Sequence, residues 1–184
     1  MAVAPPAAAL TDLERAVAPL REAPGAPRWT APERWHLTLL FLGTVPAGRV
    51  PALTAALGDA VTPTPPLVLR LAGGGRFGSR RRPQVAWAGV EEDAGPLAEL
   101  ADRLAGAARR LGLPVEDRPY RPHLTLGRWR AGTAADADLP DRLAGYRGPD
   151  WPVEEVRLVE SRLGPRPGYE VRHHWPLSGR RLAR

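Results

Sequence analysis

The 184-residue chain contains no cysteine and no lysine, since all 26 of its basic residues are arginine. Without cysteine, the chain forms no disulfide, no thiolate nucleophile and no cysteine-ligated metal site. Without lysine, it forms no Schiff base and has no phosphate-binding loop of the GxxxxGK type. These two absences exclude several classes of enzyme before any motif is considered.

Long apolar runs are absent as well. No stretch of 18 apolar residues occurs, so we expect no membrane-spanning helix. Residues 1–10 are apolar, but they lack a basic leading segment and a clear cleavage site, so we expect no signal peptide. These features favour a cytoplasmic protein. The length suits one domain, and we expect a monomer.

The charge balance is basic, with 26 arginines against 20 acidic residues and a net charge of +6. The planar arginine fork binds phosphate in a bidentate way, and a basic face attracts nucleic acid. A solvated surface in an arginine-rich composition accounts for the same excess equally well.

Apolar spacing predicts helices and strands interspersed along the chain, which is typical of an α+β fold. The predicted helices are 8–22, 46–60 and 95–111. The predicted strands are 35–42, 67–71, 84–90, 122–129, 153–163 and 169–175, the last two joined as a hairpin by a turn at 164–168. We further expect a glycine turn at 73–75 and an exposed loop at 80–83. Residues 1–5 resemble the end of a strand whose beginning is missing.

One tetrapeptide, HLTL, occurs twice, at 36–39 and at 123–126, and uses two of the four histidines of the chain. Alternate side chains of a strand share a face. His36 and Thr38 therefore lie on one face of their strand, as do His123 and Thr125 of theirs, and the leucines lie on the other. Each strand thus offers leucines to a core and a polar, titratable face to a cleft.

Two histidines with near-neutral pKa values supply one acid and one base, and threonine hydroxyls donate hydrogen bonds to phosphate oxygens. This set suits attack on a phosphodiester without a metal. If the motif occurred once, a half-buried strand whose polar side faces solvent would be the commoner explanation. The presence of two copies argues against that explanation. Zinc needs at least three protein ligands, which the flanking residues lack, and the adjacent His173 and His174 would face opposite ways on a strand. The sequence contains no GxSxG motif, which argues against a Ser-His-Asp catalytic triad.

Two HxTx motifs in a chain of this size resemble the 2H phosphoesterases, and most closely their RNA 2′,3′-cyclic phosphodiesterase branch, also called the 2′-5′ RNA ligase family. Supporting similarity extends over 29–43, 73–87, 118–128, 160–163 and 169–177. The resemblance implies an α+β, bilobal fold in which residues 1–184 form a single domain. Two pseudo-twofold-related lobes of antiparallel sheet, with helices outside, would each supply one motif strand to a central cleft.

The resemblance also implies roles. His36 would be the proton donor to the leaving 3′ oxygen, His123 the proton acceptor that activates water, and Thr38 and Thr125 would hold the phosphate. No cofactor and no metal are implied. The substrates would be RNA ends with a 2′,3′-cyclic phosphate, or small cyclic nucleotides, and the product a 2′-phosphate. Alternatives are opening of an ADP-ribose cyclic phosphate, 2′-5′ end joining, and a non-catalytic RNA-binding module, against which the intact motifs argue.

Four further features carry a binding hypothesis and a structural alternative. Arg128 follows the second motif by two residues, and we expect it to continue the polar face of that strand and contact phosphate; a surface arginine is the alternative. Arginines 80–82 either flank an RNA path or form a solvated loop. Phe77 and Trp129 either stack on a base or pack in the core.

Overall fold

A computed structural model of the chain describes residues 1–92, 95–162 and 168–179. Its α-helices are α1 (Ala7–Val17), α2 (Val50–Val61) and α3 (Pro96–Arg110). Its strands are β1 (Ala2–Val3), β2 (Arg28–Trp29), β3 (Leu37–Thr38), β4 (Leu67–Ser79), β5 (Arg82–Glu92), β6 (His123–Arg128), β7 (Arg147–Val153), β8 (Glu155–Arg162) and β9 (Gly168–Pro176). None of the helices within these ranges has the length and apolar character needed to cross a membrane.

The nine strands found in the described ranges form one sheet in the order β7-β4-β5-β6-β3-β1-β8-β9, and β2 pairs with β6 off this path. Every pairing is antiparallel. Along this path of eight strands, four lie on each side of the junction between β3 and β6, which are the two strands that carry the HLTL motifs. The predicted α+β fold with antiparallel sheet is confirmed.

The helices pack on the leucine face of the motif strands. Leu37 and Leu124 are fully buried and belong to one core cluster with Leu13 of α1, Leu57 of α2 and Leu100 of α3. Burying one leucine side chain contributes about 1.5–3 kcal/mol, so this face anchors both motif strands. The histidine and threonine side chains of the motifs are only half-buried and lie on the opposite face.

The glycine triplet at 73–75 is not a turn, and this prediction is wrong. Gly73 has φ +64° and donates its N–H to the carbonyl of Tyr146 at 2.8 Å, where the register between β4 and β5 shifts. A Cβ on Gly75 would lie 2.5 Å from the ring of Trp87. The glycines therefore allow a bulge and a close ring contact within a strand that continues beyond them.

Strand β7 has no counterpart among the predicted strands, because its sequence contains Pro149 and Pro152. Proline cannot donate to a strand ladder, so a sequence with two prolines does not suggest a strand. Among the strands of the described residues, β7 is at the edge of the sheet and pairs only with β4. An edge strand tolerates proline because one of its sides has no partner to bond.

Several predicted boundaries shift. The first motif strand is shorter than 35–42, since only Leu37–Thr38 pair as a strand. Arg82 and Pro83 begin β5, so the predicted loop at 80–83 shrinks to a turn at 80–81. The predicted turn at 164–168 lies, apart from its last residue, outside the described residues. The strand expected at the start is present as β1, which pairs with both β3 and β8.

The leucine face yields a stability prediction. Replacing Leu124 by Ala leaves a cavity behind both motif strands, and we expect the free energy of unfolding to fall by about 2–5 kcal/mol. Urea unfolding followed by circular dichroism measures this. The control is Val171→Ala on β9, where the side chain is 49% exposed, and we expect a change within about 0.5 kcal/mol. Equal effects of the two substitutions would contradict the assignment of this face to the core.

Candidate active site

The four polar motif side chains meet at the centre of the sheet. The middle leucines of the two motifs are direct partners across β3 and β6. Because the pairing is antiparallel, His36 lies opposite Thr125 and Thr38 lies opposite His123. The two histidines occupy a diagonal of this square, where Cα atoms are about 7–8 Å apart. The structure thus brings together the predicted pair of imidazoles and pair of hydroxyls.

Each histidine ring is held by the carbonyl two residues before it. Nδ1 of His36 lies 2.9 Å from the carbonyl oxygen of Arg34, and Nδ1 of His123 lies 2.7 Å from that of Arg121. A carbonyl oxygen only accepts hydrogen bonds, so the proton is on Nδ1 in both rings. Nε2 of each ring is therefore the nitrogen left for proton exchange with a ligand.

An aromatic ring meets each histidine edge to face. Tyr169 of β9 lies 5.1 Å from His36 between ring centroids, at 75°, and Phe77 of β4 lies 4.7 Å from His123, at 89°. The guanidinium of Arg34 lies 5.2 Å from the centroid of Tyr169. The two halves of the sheet each supply one aromatic contact, which together with the carbonyl hydrogen bond restricts the orientation of each imidazole.

Burial lowers the pKa of both motif histidines below the ordinary histidine value of 6.5. The hydrogen bond to the carbonyl raises the pKa of each ring and opposes this shift. Nearby positive charges lower the pKa further. The N-terminal ammonium and Arg34 act on His36, and Arg118 and Arg128 act on His123. A lowered pKa keeps an imidazole neutral at pH 7, as a base requires, and makes an imidazolium a stronger acid.

The two motif threonines are half-buried on the same face as the histidines. Neither hydroxyl makes a side-chain hydrogen bond with any described residue. Thr38 and Thr125 therefore have hydroxyl donors available for an anion held between the histidines.

Arg128 reaches the polar face through a bulge. Strict alternation after Thr125 would turn Arg128 to the leucine face. In β6, however, Thr125 is opposite Trp87 while Gly127 is opposite Ala86, so one residue is inserted without a partner. The insertion changes the alternation, and Arg128 lies exposed, close enough to the second motif histidine to lower its pKa.

The other candidate aromatic and histidine residues lie in three different places. Trp129 is buried in the core, and its indole N–H donates to the carbonyl of Gly25 at 2.8 Å, so the core alternative holds for it. Phe77 lies on the polar face beside His123. His173 and His174 are exposed on β9, with ring centroids 6.3 Å apart, and His173 also contacts the ring of Trp175. Among the described residues, no three histidine, aspartate or glutamate side chains are grouped to hold a metal ion.

Sequence reasoning missed Tyr169 and the carbonyls that orient the rings. The carbonyls had a signal, because the repeat extends to Arg-x-His-Leu-Thr-Leu, with Arg34 and Arg121 at the same position before each histidine. Tyr169 had no such signal, since β9 is separated from β3 in the sheet by β1 and β8, and its contact with His36 depends on the assembled fold.

The charge contributions to the pKa values yield a selective prediction. Arg118 is exposed and lowers the pKa of His123 but does not contribute to that of His36. We expect Arg118→Gln to raise the pKa of His123 toward the ordinary value and to leave that of His36 unchanged, because one repulsive charge is removed. NMR titration of the imidazole carbon protons measures both values. Equal shifts of the two rings, or none, would contradict the placement of Arg118.

The chain is similar in sequence to members of one known family. Residues 5–165 match the sequence profile of the 2′-5′ RNA ligase superfamily. An RNA 2′,3′-cyclic phosphodiesterase of Thermus thermophilus is 35% identical over 179 residues, which cover 94% of this chain and 84% of that protein. One of Geobacillus stearothermophilus is 34% identical over 151 residues, covering 82% of this chain and 48% of the relative, so the chain spans about half its length.

Solved structures have the same architecture. A Thermus thermophilus crystal structure is 32% identical, with a TM-score of 0.75 and coverage of 98% of this chain and 97% of that one. Escherichia coli LigT complexed with 3′-AMP is 28% identical, with a TM-score of 0.75 and coverage of 96% and 95%. The chain belongs to the 2′-5′ RNA ligase superfamily.

Proposed function

We propose that this chain hydrolyses RNA ends bearing a 2′,3′-cyclic phosphate to 2′-phosphomonoesters, by metal-independent acid–base catalysis. The observation that carries the proposal is the pairing of the two HLTL motifs, which sets two oriented imidazoles and two hydroxyls around one point. The names of the relatives, RNA 2′,3′-cyclic phosphodiesterases, support the substrate. The proposed enzyme is one bilobal domain with one motif in each half.

In the proposed reaction, Nε2 of His123 accepts a proton from water as the water oxygen bonds to phosphorus. The bond from phosphorus to the 3′ oxygen breaks, and Nε2–H of protonated His36 donates its proton to that oxygen. The products are a 3′-hydroxyl and a 2′-phosphomonoester. The surroundings of the two rings are nearly symmetric, so the assignment of acid and base follows the family resemblance.

The phosphate is held by three further side chains in this proposal. The hydroxyls of Thr38 and Thr125 donate to the non-bridging oxygens, and the guanidinium of Arg128 offsets the charge that develops on them. A neutral hydrogen bond contributes about 0.5–1.5 kcal/mol, and one to a charged group about 1.5–3 kcal/mol. The cytoplasmic monomer expected from the sequence stays a prediction.

Replacing either catalytic histidine tests the proposal most directly. We expect His36→Ala and His123→Ala each to lower kcat on a 2′,3′-cyclic nucleotide by roughly 10²- to 10⁴-fold, the usual contribution of one positioned proton-transfer group. The double variant should lose less than the product of the two, because the pair acts as a unit. Thr38→Ala and Thr125→Ala should cost less than the histidine changes, about 10- to 10²-fold, since each removes one hydrogen bond to the anionic phosphate and leaves proton transfer intact.

The matched control is His173→Ala, which removes an exposed histidine of β9 and should leave kcat within about two-fold. Full activity of either motif variant would remove that histidine from the mechanism. Loss of wild-type activity on addition of chelator would replace the mechanism with a metal-assisted one. A 3′-phosphate product would reverse the assignment of the leaving oxygen.

The pH profile follows from the lowered pKa values. One histidine must be protonated and the other neutral, so kcat/KM should pass through a maximum. Both pKa values lie below the ordinary 6.5 in the free enzyme, and kcat/KM reports the free enzyme, so we expect the maximum below pH 6.5. Initial rates at low substrate concentration across roughly pH 4–9 measure the profile. If kcat/KM rises continuously over that whole range, the result would argue against a protonated histidine as general acid.

A further inference from the structure

A second basic site lies at the far end of β5 and β6. A groove of about 570 Å³ opens between the turn at 80–81, the start of β5 and the segment 129–135. None of its lining residues is acidic. Four of them are arginines, namely Arg80, Arg81, Arg82 and Arg130. The groove is distinct from the pair of motif histidines, which do not line it.

Most of this positive charge has no acidic partner among the residues that the structure describes. Arg80 forms an ion pair with Asp138 at 3.1 Å. Arg81, Arg82 and Arg130 are exposed and form no ion pair with any described residue. Neighbouring like charges repel one another, and a polyanion with several phosphates would relieve that repulsion. Arginine forks also match phosphate geometry better than other side chains do.

The groove continues the strand that carries the second motif. Arg128 ends β6, and the next residue, Trp129, donates its backbone N–H to the carbonyl of Gln84 in the groove wall at 3.1 Å. From His123 to Trp129 the chain advances roughly 20 Å, at about 3.4 Å per residue. Arg128 lies between the two sites, so positive charge continues from one to the other.

We propose that this groove binds the sugar-phosphate backbone of single-stranded RNA several nucleotides before the cyclic end. The proposal rests on the proposed function and assigns its substrate class, oligoribonucleotides rather than mononucleotides. At about 3.4 Å per stacked nucleotide, the distance corresponds to roughly six nucleotides. Trp129 is buried under the groove and cannot stack on a base. The contacts are therefore to phosphates and independent of base identity.

The experiment compares two variants that lose the same charge. Arg81→Gln/Arg130→Gln alters the groove, and Arg15→Gln/Arg110→Gln removes two exposed helical arginines without a described ion pair. Substrates are a 2′,3′-cyclic mononucleotide and oligoribonucleotides of about 2, 4, 8 and 12 nucleotides with 2′,3′-cyclic ends. We expect the groove variant to raise KM for the longest substrates by roughly 5- to 20-fold and to leave the mononucleotide unchanged.

Salt dependence gives a second readout. For the longest substrate, the slope of log affinity against log salt should become shallower by about 1.4 in the groove variant, because each phosphate contact on a single strand contributes about 0.7. The helical control should retain the wild-type slope. Equal KM values and slopes for both variants would overturn the proposal, and so would equal losses on mononucleotide and oligonucleotide.

Binding measured separately distinguishes this proposal from the proposed function. Fluorescence anisotropy with labelled RNA of about 12 nucleotides ending in a 3′-phosphate needs no turnover. Suppose that the wild type binds longer RNA more tightly, that the groove variant weakens this binding, and that the wild type shows no hydrolysis. The groove proposal would then stand and the proposed enzymatic function would be refuted. Hydrolysis by the wild type without length-dependent binding would support the enzymatic function and refute the groove proposal.

Competition with polyglutamate tests the class of polyanion. If polyglutamate competes as strongly as RNA, the assignment to RNA is overturned and an acidic protein becomes the ligand of the groove.

Discussion

The pairing of Leu37 with Leu124 is the contact on which the site depends. These side chains lie on the buried face of β3 and β6, and their burial sets the register between the two strands. Side chains on a strand alternate, so a slip of one residue would turn a histidine into the core and a leucine into the cleft. The apolar core therefore positions the chemistry, although none of its atoms touches a substrate.

Features that depend on local pattern can be predicted from the sequence. Helix α3 extends over nearly the predicted range, because its leucines repeat at helical spacing and Gly112, with φ +69°, ends it. The strand content of β4 and β7 is underestimated for a different reason. Glycine and proline mark turns in isolated segments. In this sheet, a bulge at Gly73, a close contact of Gly75 with the ring of Trp87 and an edge position accommodate them. Those environments are set by distant parts of the chain.

The candidate site divides in the same way. The repeated motif is enough to select His36, Thr38, His123 and Thr125, since chance rarely produces two copies that both alternate with a period of two residues. The orientation of Arg128 requires a bulge that only pairing with β5 reveals. The contact of Tyr169 with a motif histidine likewise depends on the position of β9 in the sheet. Candidate catalytic residue types are thus encoded locally, whereas their orientation is a property of the assembled sheet.

The matching carbonyl hydrogen bonds have a consequence for the catalytic cycle. Both rings present the same nitrogen to the cleft, and Nδ1 is occupied by a backbone carbonyl in each. In the proposed reaction His123 gains a proton and His36 loses one, so the protonation states of the two rings are exchanged after each turnover. That state is set for the reverse reaction until the protonation pattern is restored. Because Nδ1 is blocked, restoration must pass through Nε2 and the open cleft, so product departure and proton resetting share one route.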